Sequence, residues 1–271
     1  MATLADSGPG TSRPGDLTSF VDRWIYVFTA GLFVVTVLVG FIPDSIGMLA
    51  DVKSGARPAL PLILHTHAVL MGSWLALLLA QTILMATGRR GPHMQLGIAG
   101  VVLAPLLIIA GFLLVPENRL EMANAIQHGP PDVAARLRPV FGIGLDITLI
   151  QLKVGVTFAI LTTIGLASRQ RDPELHKRLM LLGTSAALAA ATDRMMWLPS
   201  TLPAGPLTCD LWPLALVLPM FLWDLYRLGR LHKAWLIFLG VSLATSIPMH
   251  LLWGTPWWRG AAMRLLGISG I

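Results

Sequence analysis

Long apolar runs separated by short basic turns dominate the chain. Seven can be read, over residues 24–42, 60–87, 96–115, 141–168, 178–198, 211–226 and 234–253. Each is close to the ~20 residues that a ~30 Å hydrocarbon core requires. Pro213 and Pro219 interrupt the sixth, and the second and fourth are long enough to tilt or to project past a bilayer. The pattern predicts an all-α fold, a polytopic membrane helical bundle of about seven transmembrane helices. Around the bundle at 24–253 it leaves a polar tail over 1–23, two long loops at 43–59 and 116–140, and an interfacial tail over 254–271. The second loop, PENRLEMANAIQHGPPDVAARLRP, has room for one or two short helices broken at Gly129-Pro130-Pro131.

Composition agrees with the pattern. Hydrophobic residues make up 55% and charged residues only 13%, where soluble domains run near ~25% charged. Several of the nine tryptophans, Trp24, Trp197, Trp212, Trp235, Trp253, Trp257 and Trp258 among them, fall near predicted helix ends, as in an aromatic belt. The first run follows a polar tail with no A-x-A-like site, which reads as an uncleaved span. One cysteine, Cys209, excludes an internal disulfide and any metal site built on two thiolates of one chain.

Charge sets an orientation. Arg13, Arg23, Arg89, Arg90, Arg169, Arg171, Lys177, Arg178, Arg227, Arg230 and Lys233 fall on one side. Lys53, Arg57, Arg119, Arg136, Arg138, Arg259 and Arg264 fall on the other. The bias is clearest in the short loops and places the N-terminus in the cytoplasm, in a bacterial-type inner membrane. The net charge of +6 is spread over these loops, which argues for topology rather than nucleic-acid binding.

The polar residues inside the runs carry the candidate chemistry. On the second run, His67, Met71, Trp74, Leu78 and Gln81 form one helical stripe, while His65 points nearly opposite, beside Val69, Gly72, Ala76 and Ala80. His67 falls about 10 Å below the outer boundary. Asp146, Asp193, Arg194 and His250 fall in the same layer, with Lys153 two turns below Asp146 on the same face. One reading makes this layer a ligand site. His67 and His250, with or without His65, would hold haem iron or a transition metal, and Asp146 and Asp193 would serve as ligands or tautomer-fixing partners. A second makes it structural, with Asp146–Lys153 and Asp193–Arg194 as charge pairs, and a third makes it a substrate or proton pathway. A second layer, His93 and His176 with His232, marks the cytoplasmic boundary. One reading has His93 and His176 bind a second haem or contact a quinone or lipid headgroup; the other leaves them merely interfacial beside basic residues at helix starts. The loops TGRRGPHMQLG and RQRDPELHKRLMLLG repeat a basic turn, a Pro and a helix-opening His, so hairpins 60–115 and 141–198 read as a faint duplication.

Several classes lack support. No Lys lies in the seventh run for a retinal Schiff base, and Walker and G-x-S-x-G motifs are absent. The methionines form no M-x-x-x-M array for copper transfer.

The segments H-x-H-A-x-x-M-x-x-W-x-x-x-x-x-x-Q at 65–81, H-x-x-L-G at 93–97 and D-P-x-x-H-K-R-L-M at 172–180 resemble a loosely defined group of bacterial multi-spanning proteins with His-rich helix starts. They are distantly similar to haem-copper oxidase assembly membrane proteins and to ascorbate-reducible b-type cytochromes. The resemblance covers about 60–180 and implies a haem- or metal-associated helical bundle. The leading expectation is therefore a haem- or metal-binding membrane protein with a redox or oxidase-assembly role. The alternatives are a membrane enzyme acting on a lipid or isoprenoid, with the outer layer as acid and base and Trp74 lining an apolar slot, and a non-catalytic subunit of a membrane redox complex.

Overall fold

The computed structural model describes residues 14–271. Helices account for all the regular structure among these residues: α1 (Pro14–Lys53), α2 (Leu62–Ala86), α3 (Arg90–His128), α4 (Pro131–Ser168), α5 (Pro173–Ser185), α6 (Ala189–Thr192), α7 (Leu207–Leu228), α8 (Lys233–Leu252) and α9 (Pro256–Leu265). Six of them, α1–α4, α7 and α8, are long and apolar enough to cross a membrane. Large side chains such as Leu62, Val69, Ile98, Leu243 and Leu251 face outward from these helices, the surface a lipid solvent permits. The chain is an all-α protein with the architecture of an integral membrane bundle.

Three helices run well past the lengths read from hydropathy. Pro43 does not end α1, which continues to Lys53. Residues 116–140 are no loop: Pro116 lies inside α3, and α4 opens at Pro131. The break falls at Gly129-Pro130, as expected from the turn chemistry. At ~1.5 Å per residue, the 39 residues of α3 and the 38 of α4 reach nearly 60 Å, so their hairpin tilts or stands proud of a ~30 Å core. Of the tail expected over 1–23, residues 1–13 lie outside the described residues, and α1 already runs from Pro14.

The segment expected as a fifth span, 178–198, is built differently. α5, a 3₁₀ turn at Ala186–Leu188 and α6 follow end to end, and turns then carry the chain to α7. Two causes are visible. The hydroxyls of Thr184, Ser185 and Thr192 hydrogen-bond back to carbonyls three or four residues earlier, which bends helices. The backbone of α1 also presses on this piece, since a Cβ added at Gly40 would lie 2.3 Å from the Ala191 carbonyl oxygen. Leu179, Leu181, Leu182, Leu188, Ala189 and Ala191 are almost wholly buried, so the broken element is the centre of the bundle. It packs against α1, α4, α7 and α8.

Two cores result. The first joins α5 to Phe33 of α1, Leu75 and Leu78 of α2, Leu161 of α4, Met220 of α7 and Phe238 of α8. The second lies at the other end, where Phe141, Leu145 and Leu149 of α4 meet Ala123 and Ile126 of α3, Met249 of α8 and Trp258 of α9. Caps match the local sequence. Asp172 accepts from the Leu175 N–H ahead of Pro173, and Thr255 accepts from the Trp258 N–H ahead of Pro256. Gly229 closes α7 at a φ of +62°, a conformation costly for any other residue.

Candidate functional site

α4, α7 and α8 meet around Asp210, a residue in the first turn of α7. Lys153 of α4 donates to Asp210 Oδ1 at 2.6 Å, and Ser246 of α8 donates to the same oxygen at 2.9 Å. His250, one turn beyond Ser246 on the same face of α8, places Nε2 2.9 Å from Oδ2. The Lys153 side chain is only 7% exposed and that of Asp210 16%, whereas His250 reaches 36%. The centre is thus closed on the Lys153 side and open at the imidazole. Both carboxylate oxygens accept from donors, one of them the Lys153 ammonium. An ionised Asp210 favours the tautomer with the proton on Nε2, which leaves the His250 Nδ1 lone pair outward.

The surroundings support this centre. Cys209 Sγ donates to Asp193 Oδ2 at 3.3 Å, which ties Asp193 to the first turn of α7. One turn deeper, the Thr157 and Thr245 hydroxyls meet at 2.9 Å. The 193–206 segment is tied down over α7 and α8 by two indoles: Trp212 donates to the Pro199 carbonyl and Trp253 to that of Pro203.

The outer layer read from the sequence is therefore divided. Lys153 and His250 do come together, but on Asp210, which the hydropathy pattern assigned to a loop. Asp146 is not paired with Lys153. Its carboxylate, 2% exposed, holds Arg259 of α9, with Nη2 at 2.5 Å from Oδ2. That hydrogen bond raises the Arg259 pKa above its ordinary value. Arg194 does not pair with Asp193 either; it reaches Asp44 of α1 at 2.9 Å and stacks on Phe41. Both expected charge pairs are thus replaced by others. His67 faces α3 instead, its ring 3.6 Å from where a Gly111 Cβ would stand, with Nδ1 shielded and unpartnered. His65 is exposed. Among the described residues, no group of three or more His, Cys, Asp or Glu side chains is placed to hold a metal ion. Trp74 lines no slot: it is buried, edge-on to Phe158, and donates to Thr184 at 3.0 Å.

His93 and His176 each close onto the preceding helix of their own hairpin, while His232 Nδ1 accepts from the Ala234 N–H at the start of α8. His176 Nδ1 lies 2.8 Å from the Gly165 carbonyl, and the His93 ring meets the Gln81 backbone. Gln81 Oε1 and His93 Nδ1 have no partner.

A second charged centre escaped the sequence reading altogether. Arg178 of α5 and Asp224 of α7 form a two-pronged pair, Nε to Oδ2 at 2.7 Å and Nη2 to Oδ1 at 2.6 Å, with each side chain 5% exposed. Trp235 of α8 donates to Asp224 at 2.8 Å, and Glu174 takes the remaining Arg178 nitrogen at 2.6 Å. Arg178 had been counted among loop charges that set orientation. It is instead the clamp that joins α5, α7 and α8.

Comparison with family models, curated proteins and solved structures finds no match to this chain.

Proposed function

We propose that the chain is a seven-crossing protein of a bacterial-type cytoplasmic membrane, N-terminus inside. Its Asp210 centre would perform acid–base chemistry on an amphiphilic substrate of the lipid or isoprenoid class. The observation that carries this reading is the convergence of Lys153, Ser246 and His250, from two other helices, on one carboxylate. In the proposed step, His250 Nδ1 takes a proton from a substrate hydroxyl, and Asp210 stabilises the imidazolium formed. Lys153 keeps Asp210 charged throughout, so the proton stays on the imidazole. Leu251 and Ile247 beside His250 face outward, which suits a substrate that arrives from the lipid. The orientation rests on the loop charges, with α5–α6 as the crossing between α4 and α7. The test compares lipid extracts of cells that make the chain with cells that lack it. A species that accumulates only in its absence supports the reading, and identical extracts overturn it.

A second reading keeps haem or a transition metal in a redox or oxidase-assembly role, through His67 and His250. The unpartnered Nδ1 of His67 favours it. Against it, His250 spends Nε2 on Asp210 while His67 sits between α2 and α3. A Soret band in purified protein, lost on His67→Ala, would restore it.

A further inference from the structure

We propose that Arg119 is the core of an anion site that takes a phosphate group, at the outer end of the α3–α4 hairpin. Three observations on separate residues meet there. The Arg119 guanidinium lies directly on the backbone of α4, because Gly144 has no side chain: Nη1 is 2.5 Å from where a Cβ would stand. Arg119 Nε is shielded from solvent and has no partner. Seven residues along the same face of α4 as Gly144, the Gln151 Oε1 is likewise shielded and unpartnered.

Arg119 has no counter-charge among the described residues, unlike the other arginines that α4 and α5 hold or carry in the interior. Buried Arg178 has Asp224 and Glu174, and Arg259 has Asp146. Glu117 and Glu121 flank Arg119 on its own helix, yet neither pairs with it among the described residues. Arg138, also unpaired, is exposed and needs no partner beyond water. A guanidinium whose Nε is shielded and left without an acceptor is unfavourable. Its planar fork matches phosphate oxygens better than any other side chain does. Gln151 lies ~10 Å further along the axis, toward the apolar part of α4. A ligand lying along this face meets a cation first and a carboxamide below it, the order of phosphate and glycerol oxygens in a phospholipid. The α3 side of this groove is independent of Asp210, since Lys153 points from the opposite face of α4. The site therefore stands or falls apart from the acid–base reading.

The test is native mass spectrometry of the detergent-solubilised full chain, titrated with dioleoylphosphatidylglycerol, with inorganic phosphate, and with phosphate-free dioleoylglycerol. The expected result is phosphatidylglycerol binding that weakens at least tenfold in Arg119→Gln and in Gly144→Leu, which displaces the guanidinium. Arg138→Gln should bind as the wild type does. Competition by millimolar inorganic phosphate would identify a soluble phosphate as ligand; its absence would identify the lipid. Equal binding by wild type and both site variants overturns the proposal. So does a loss in Arg138→Gln as large as that in Arg119→Gln, or dioleoylglycerol binding that depends equally on Arg119.

Discussion

Asp210 Oδ2 stands 2.9 Å from His250 Nε2 while its other oxygen takes the Lys153 ammonium at 2.6 Å. One carboxylate thereby orients an imidazole and neutralises a buried cation. The two roles separate under mutation. Asp210→Asn keeps the size of the side chain but strands Lys153. Ser246→Ala removes only a neutral donor and should cost about 1 kcal/mol.

Lys153→Met leaves Asp210 without its cation in a closed environment. Breaking a buried ion pair on one side costs about 3–5 kcal/mol. Reversible unfolding in mixed micelles should register a loss of this size. The double variant Lys153→Met with Asp210→Leu should recover most of it, because neither charge remains to be solvated.

The Arg178–Asp224 clamp carries a distinct signature, since the Trp235 indole donates to the same carboxylate. Asp224→Ala should destabilise by about 3–5 kcal/mol and alter Trp235 emission. Combining it with Arg178→Ala should cost less than the sum of the two, with a coupling of about 0.5–3 kcal/mol in a double-mutant cycle. Additive losses and an unchanged spectrum would contradict the pairing.

Two glycines of α1 should respond with opposite signs. A methyl at Gly40 collides with the Ala191 carbonyl, a backbone atom that no rotamer change can move. Gly40→Ala should therefore cost about 1–3 kcal/mol. Nothing lies within 4 Å of a Cβ at Gly47, so Gly47→Ala should gain about 0.5–1 kcal/mol from helix propensity alone. Melting temperatures of the two variants against wild type check the contrast.

The cap of α5 should make the turn between α4 and α5 acid-sensitive. Lys233 and then the Leu175 N–H hold the Asp172 carboxyl below its ordinary value of 3.8. A depressed carboxylate stabilises the fold above that ordinary value and loses its contribution as pH falls through the folded one. The advantage of wild type over Asp172→Asn in thermal stability should be constant near neutrality and shrink below about pH 4. An advantage that persists at pH 2–3 would contradict the assignment.

Hydropathy made the class of the fold legible, because every crossing must hide its own backbone polar groups and so reads as a long apolar run. Turn chemistry located the break at Gly129-Pro130. Hydropathy failed where burial comes from protein rather than lipid. The α5–α6 element carries Arg178 and a run of small residues because α1, α4, α7 and α8 pack around it, so its sequence imitates a span without forming one helix. Asp210 and Asp224 lie at either end of α7, where the periodicity of one segment cannot distinguish an interfacial charge from a paired one. Their partners stand 57 and 46 residues away, and no local pattern links them. Lys153 and His250 were found because each sits inside an apolar run; their common partner was missed because Asp210 does not. Asp146 was expected beside Lys153, but its cation comes from α9, a helix read only as an interfacial tail.

The most direct test sets three variants against one another in a single lipid-extract comparison: His250→Ala, Asp210→Asn and His67→Ala. The account predicts that the first two reproduce the lipid change of cells lacking the chain, while His67→Ala matches wild type. Loss of function in His67→Ala, with His250→Ala and Asp210→Asn behaving as wild type, would contradict an Asp210-centred chemistry.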